Sequence, residues 1–282
     1  MTGIYNVDPV IKVPESPYLC FSGNPILIND ILGNVGTSTI IDVNGKVIGG
    51  TTKDNDKGVY RVLGLQKSNF DASKIDNYKK QGTKVGETIS LSSFQSPITG
   101  EWLGQVNFNS NAKDAISKAT QTLGGFMSTH STYESFNEYK DHAGNFKGAY
   151  DLKTVGLSGG KNATPEQRDA YAYEASFFSE SIIMTRRDQG NFFAGRASKM
   201  LGLSEATMLS GFGAFQANSN KINGTWNKIK VGVMSVFNWL DQKVMGAALN
   251  GTPMEGMNVK PVFHDDKVSE DLQRAGYNQF HR

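Results

Sequence analysis

Three places in this sequence bring acids and bases to spacings that can do chemistry. In Ala149-Tyr150-Asp151-Leu152-Lys153 the acid and the base are two residues apart. On an extended segment they point the same way and form an acid–base pair, and the same pair would serve equally as a surface ion pair of little energetic weight. Arg187-Asp188-Gln189-Gly190-Asn191 follows a helical pattern that contains Glu180. A carboxyl group on a helix and a second on the turn after it is an arrangement by which a glycosidase holds its acid and base on opposite sides of a sugar bond. On that reading Glu180, desolvated beside Phe177 and Phe178, donates the proton, Asp188 stays ionised, and the Asn191 amide positions substrate. Phe263-His264-Asp265-Asp266 joins an imidazole to two carboxylates, a set able to exchange protons or to hold a divalent ion. For Asp266 the alternative is a helix N-cap. These residues lie far apart in sequence, so as a site they must converge on one cleft.

Other chemistries find little support. The histidines are His130, His142, His264 and His281, with no two at helical-pair spacing, and the one cysteine is Cys20. Neither a structural zinc site nor an internal disulfide framework is expected, and Cys20 reads as a small core residue. Gly195, Gly202, Gly211 and Gly213 do not form a dinucleotide or phosphate-loop fingerprint, so no cofactor and no bound metal are expected. A formal charge of +2, from 29 Lys and Arg against 27 Asp and Glu, gives no basic excess that would announce nucleic acid. With 38% hydrophobic and 20% charged residues and a mean hydropathy of -0.39, the chain reads as a soluble globular protein rather than a disordered or membrane-embedded one. Residues 1–12 lack a basic stretch followed by an apolar core, so no cleaved secretory signal is expected and any export would use another route.

The elements that must position these residues give an α+β class, with a β-rich part over 1–110 and a mainly helical part over 111–282. Two β-branched runs flank Asn44-Gly45, which predicts a type I′ hairpin. Further strands are expected at 59–63, 85–91 and 102–108. Helical periodicity takes over at 112–123 and 131–140. Thr164-Pro165 then starts a long helix to Arg187. Another helix is expected over 226–248, its stripe of Val233, Phe237 and Leu240 facing a core because it falls short of the roughly 20 apolar residues of a membrane span. A last helix covers 269–276.

Taken in order, Tyr150-Asp151-Leu152-Lys153, Asp188-Gln189-Gly190-Asn191-Phe192-Phe193-Ala194-Gly195, Gly213-Ala214-Phe215-Gln216, then His264-Asp265-Asp266, Asp271 and Gly276-Tyr277 resemble the bacterial polymorphic toxin type 44 domain over about residues 145–282. The chain departs from that pattern at His264, where the family often has glycine, and at Gly213-Ala214, where it has the reverse order. Residues 42–60 are similar to a linkage or delivery segment that precedes variable toxin domains. The resemblance implies an antibacterial effector delivered by secretion machinery or a carrier protein and blocked by a cognate immunity protein. With the carboxylate pairing that singles out Glu180, it implies catalytic roles for Asp188, Asp151, Lys153 and Asp265 beside Glu180, and substrate-binding roles for Asn191, His264, Gln216 and Asp266. Three functions compete. One is a hydrolase acting on peptidoglycan in the target-cell periplasm, without membrane insertion. A second is a cytoplasmic nuclease in which Lys153, His264 and the acids supply acid–base and metal chemistry. In the third, a non-enzymatic adaptor of a secretion particle, the same carboxylates are caps and ion pairs.

Overall fold

The computed structural model describes residues 37–90, 93–96, 99–143, 148–205, 208 and 267–279. Its first feature is the hairpin of β1 (Ser38–Ile41) and β2 (Val47–Thr51), which pair antiparallel. The turn is not type I′. Of the Asn44-Gly45 pair only Gly45 has positive φ, at 85°. The Asp42 carbonyl accepts from Gly45 N at 3.1 Å, and Asp42 N donates to the Lys46 carbonyl at 2.9 Å. The Asp42 carboxylate accepts from Asn44 N and Lys46 N at 2.8 and 2.9 Å. The aspartate thus stabilises a type I turn closed by a glycine bulge, which needs one positive φ instead of two.

Five more strands, β3 (Gly58–Arg61), β4 (Thr83–Thr88), β5 (Gln105–Asn111), β6 (Glu174–Phe177) and β7 (Ile182–Thr185), complete a mixed seven-stranded sheet in the order β2-β1-β3-β4-β7-β6-β5. The sheet curls until its two edge strands meet. Val47 N donates to the Gly104 carbonyl at 3.0 Å and Val106 N to the Gly45 carbonyl at 2.8 Å. Backbones come this close because a Cβ on Gly45 would stand 2.2 Å from the Val106 oxygen, and one on Gly104, with φ of 105°, 2.1 Å from the Tyr173 oxygen. The partly closed barrel encloses Ile41, Val47, Val59, Phe94, Val106, Ala175 and Ile183, drawn from both ends of the sheet. Closure at this seam removes exposed strand edge.

Outside the barrel, α1 (Ile75–Gln81) lays Ile75 and Tyr78 on Ile40, Ile48 and Val62. The remaining helices are α2 (Ala112–Met127), α3 (Thr132–His142), α4 (Pro165–Ala172), α5 (Arg186–Met200) and α6 (Lys267–Gln279). Ile116 and Leu123 of α2, Phe136 and Tyr139 of α3, Phe192, Phe193 and Ala197 of α5 and Leu272 of α6 share one core with Met184 of β7. Helices α2 and α3 coincide with the periodic segments read from sequence. The helix expected from 165 to 187 ends at Ala172, and the residues after it form β6 and β7. Ala175, Phe178 and Ile182 fit a helical period. The same residues flank a Ser179-Glu180-Ser181 turn, and pairing in the sheet beside β4 and β5 outweighs local preference. The sheet therefore crosses the expected boundary near residue 110. The helix expected over 226–248 lies outside the described residues.

Helices α5 and α6 run parallel and touch backbone to backbone. Asn191 lies beside Ser269, and the Tyr277 hydroxyl donates to the Leu203 carbonyl at 2.9 Å. A Cβ on Gly195 would stand 1.7 Å from the Gln273 oxygen, and one on Gly276 1.8 Å from the Phe192 oxygen. Gly195→Ala must force the helices apart and is expected to cost about 1–3 kcal/mol. Gly125→Ala, in α2 where a Cβ meets nothing within 4 Å, should stabilise by about 0.5–1 kcal/mol. Urea denaturation of both variants checks the contrast, and an unchanged midpoint for Gly195→Ala would contradict the close crossing.

Candidate functional site

The first turn of α5 gathers four of the residues singled out from sequence. Thr185 is its N-cap, and the Thr185 hydroxyl accepts from Asp188 N at 3.1 Å while the Asp188 carboxylate accepts from Thr185 N at 3.0 Å. The other Asp188 oxygen accepts from the Ser90 hydroxyl at 3.3 Å, and the residue is 1% exposed. One of its oxygens closes a capping box and the other holds the Ser90 hydroxyl. The Asn191 amide donates to the Ser269 hydroxyl at 2.8 Å. Lys153 lies along Gly190, where a Cβ would stand 2.6 Å from its Cγ. Asp151, in a run of turns rather than an extended segment, is buried and accepts from the Thr154 hydroxyl at 2.5 Å. Burial, with the charge of Asp151 nearby, pushes the Tyr139 hydroxyl well above the usual tyrosine range. Asp151, Lys153, Asp188 and Asn191 thus share one locality, where Asp151, Asp188 and Asn191 are closed off from solvent. His264, Asp265, Asp266 and Gln216 lie outside the described residues.

Glu180 stands elsewhere. It is exposed at the turn between β6 and β7, neither on a helix nor desolvated. The β5–β6 register jumps from Val106↔Ala175 to Asn111↔Phe177, so that residues 107–110 loop out over β6. An open groove of about 790 Å³ lies between that bulge and the Glu180 turn, lined by Phe108, Asn109, Ser110, Asn111, Lys113, Phe177, Phe178, Ser179 and Glu180. Phe108 and Phe177 lie 6.3 Å apart between ring centroids, and the Arg61 guanidinium sits 5.5 Å over Phe108. Phe178 is anchored on Phe192 at 5.4 Å. A smaller cavity shares Ser110 and Asn111 with the groove and continues to Arg186 and Gln189. Asp188 does not line the groove, so the pairing of Glu180 with Asp188 across a sugar bond is corrected: one carboxylate faces the groove and the other closes a helix cap. Sequence reasoning missed Phe108, Asn109, Asn111 and Lys113. Their signal was the Asn107-Phe108-Asn109-Ser110-Asn111 run, too polar for a regular strand.

A third cluster has the look of a cation loop. In Asp54-Asn55-Asp56-Lys57-Gly58 the two aspartates face the Lys79 ammonium of α1, at 3.1 Å from Asp54 and 2.6 Å from Asp56. Asp56 also accepts from the Tyr60 hydroxyl and Gly58 N, each at 2.7 Å. Burial alone would raise the Asp56 carboxyl, but the hydrogen bonds from Lys79, Tyr60 and Gly58 outweigh it and hold it at about 2. Burial likewise opposes the Lys79 charge, and the two aspartates reverse that effect and raise the ammonium above the usual lysine range. A side-chain cation thus takes the place between these carboxylates that an ion would need. Among the described residues no group of three or more His, Cys, Asp or Glu is placed to hold a metal.

Comparison with protein-family models, with curated proteins and with solved structures gave no match to this chain. Asp188→Ala leaves Thr185 N and Ser90 without their acceptor and should destabilise the fold by about 1–3 kcal/mol, read as a lower denaturation midpoint. The Asp56 carboxyl is lowered from about 3.9 in the unfolded chain, so its stabilisation is present above about pH 4 and disappears as pH falls toward 2. Lys79→Met should shift that acid limb upward, and a limb identical to wild type in a pH series of melts would refute the assignment.

Proposed function

We propose that this chain is an antibacterial effector acting on peptidoglycan, and that the groove between the β5 bulge and the Glu180 turn receives a glycan strand. The observation that carries the reading is the lining itself. Three phenylalanine rings, the amides of Asn109 and Asn111 and an exposed carboxyl share one open groove. Pyranose rings present apolar C–H faces that stack on aromatic side chains, while their hydroxyl and acetamido groups hydrogen-bond to amides. Covered by a bound strand, Glu180, the carboxyl group among the described lining residues, gives a proton to the leaving glycosidic oxygen while a water molecule adds to the anomeric carbon and returns its proton to the carboxylate. Asp188 takes no part in this step, because it is buried with one oxygen in the α5 cap and the other on the Ser90 hydroxyl. On the same reading secretion machinery or a carrier delivers the protein to the target-cell periplasm, and a cognate immunity protein protects the producer by obstructing the groove.

Digestion of purified sacculi tests the proposal. Wild-type protein should release new reducing ends, and Glu180→Gln should abolish the release with an unchanged melting temperature, since an exposed turn residue contributes little to the fold. New amino groups without reducing ends would replace the glycosidase with an amidase or peptidase. Intact sacculi beside degraded RNA or DNA would overturn the reading in favour of a nuclease.

A further inference from the structure

The groove contains two opposite charges that do not meet. Lys113 and Glu180 both line it, yet among the described residues neither forms an ion pair with the other or with any third group. The neighbouring cations are differently engaged. Arg186 donates to Glu174 at 3.2 Å and stacks over Tyr171 at 4.1 Å, and Arg61 lies over Phe108. Lys113 also occupies the first turn of α2, where a positive charge opposes the helix dipole and the fold gains nothing from it. Lys113 lines the groove together with Asn109 and Asn111 of the β5 bulge, and Glu180 lines it from the turn between β6 and β7.

From this we infer that Lys113 is a specificity-determining residue that reads a carboxylate on the bound glycan and thereby sets which way the strand lies. The inference rests on the glycan reading above and narrows it. The preferred substrate is a peptidoglycan strand whose lactyl groups on alternate sugars are free of stem peptide and so carry carboxylates, not a neutral acetamido-sugar polymer. With the carboxylate held at Lys113, the strand presents an uncharged glycosidic linkage to Glu180. A strand laid the other way would bring its carboxylate against Glu180 and lose the contact with Lys113. Electrostatic selection of this kind acts through one attractive and one repulsive position.

The experiment uses the full chain in a Glu180→Gln background, so that no turnover disturbs binding. Calorimetry compares three probes of equal length: a neutral N-acetylglucosamine oligomer, a peptide-free peptidoglycan oligosaccharide carrying its lactyl carboxylates, and the latter with those carboxylates amidated. The acidic oligosaccharide should bind about fivefold tighter than its amidated form, the upper range for a solvent-accessible ion pair. High salt should erase most of that margin. Lys113→Met should remove the preference of the acidic over the amidated form, and Lys113→Arg should retain it. Lys113 is exposed, so folding is not at issue. A preference that survives in Lys113→Met, or equal binding of acidic and amidated forms in the parent, overturns the inference and leaves the glycan reading standing. Failure of all three probes to bind overturns both.

Discussion

No residue separates β7 from α5. Thr185 ends the strand and caps the helix that begins at Arg186, so the direction in which α5 leaves the sheet is fixed by one capping box. Asp188, the reciprocal partner in that box, also takes the Ser90 hydroxyl and so ties the helix start to the chain just beyond β4. One residue on, Gln189 donates to the Ser176 hydroxyl of β6 and to the Met184 carbonyl, each at 3.2 Å. Lys153 is laid on Gly190 and Ser269 is held by Asn191. Successive residues of one helical turn thus orient the sheet, the 148–155 segment and α6. Because a turn of helix offers side chains all round its axis, a single buried turn can serve each of these neighbours at once. A buried polar junction of this kind is costly when partly satisfied, so loss of one member is felt by the others.

The Gly195 and Gly276 crossing follows from that junction. Once Asn191 and Ser269 fix the starts of two parallel helices, a Cβ at either glycine would hold the axes apart and strand the amide–hydroxyl contact. Close approach also seats Phe192 and Phe193 among α2, α3 and α6. Phe192 in turn supports Phe178 in the groove wall. The groove thus depends on the helical layer through one aromatic contact, and on the barrel through the β5 bulge, which can loop outward because residues 104–106 are pinned to the β1–β2 turn.

Local signals in the sequence were read correctly where they acted alone. Asn44-Gly45 marked a hairpin, although Asp42 selected a different turn. Asn111 and Ser131 opened helices whose apolar spacing was plain, the latter through a full capping box with Glu134. Thr164-Pro165 opened α4 as expected. The run from Tyr173 to Thr185 misled because its apolar spacing fits a helix and its β-branched and aromatic content fits a hairpin, and the choice lies with strands far away in sequence. That one misreading moved Glu180 from a helix to a turn. It also hid the groove, whose far wall is a β5 irregularity that appears only when β5 is registered against β6.

Carboxylates that look alike in a sequence separate once their donors are known. Asp188 sits in a helix-start pattern with its oxygens saturated by Thr185 N and the Ser90 hydroxyl, and at 1% exposure no substrate can reach it. Asp151 has the Thr154 hydroxyl on one oxygen and is likewise enclosed. Such groups resist replacement because an alanine would strand buried donors, so a buried acid of this kind serves the fold. The residues from Tyr150 to Gly195 therefore read, in three dimensions, as the pattern of a helix junction: cap, lysine laid on glycine, amide to the next helix, glycine at the crossing. A reaction requires the opposite condition, a group whose proton or lone pair is not already committed and which a substrate can touch. Among the described candidate acids Glu180 meets it. A group open to a ligand is therefore found at the sheet's irregular edge, where the backbone departs from its ladder and side chains face solvent, while the residues of the helix junction maintain the architecture behind it.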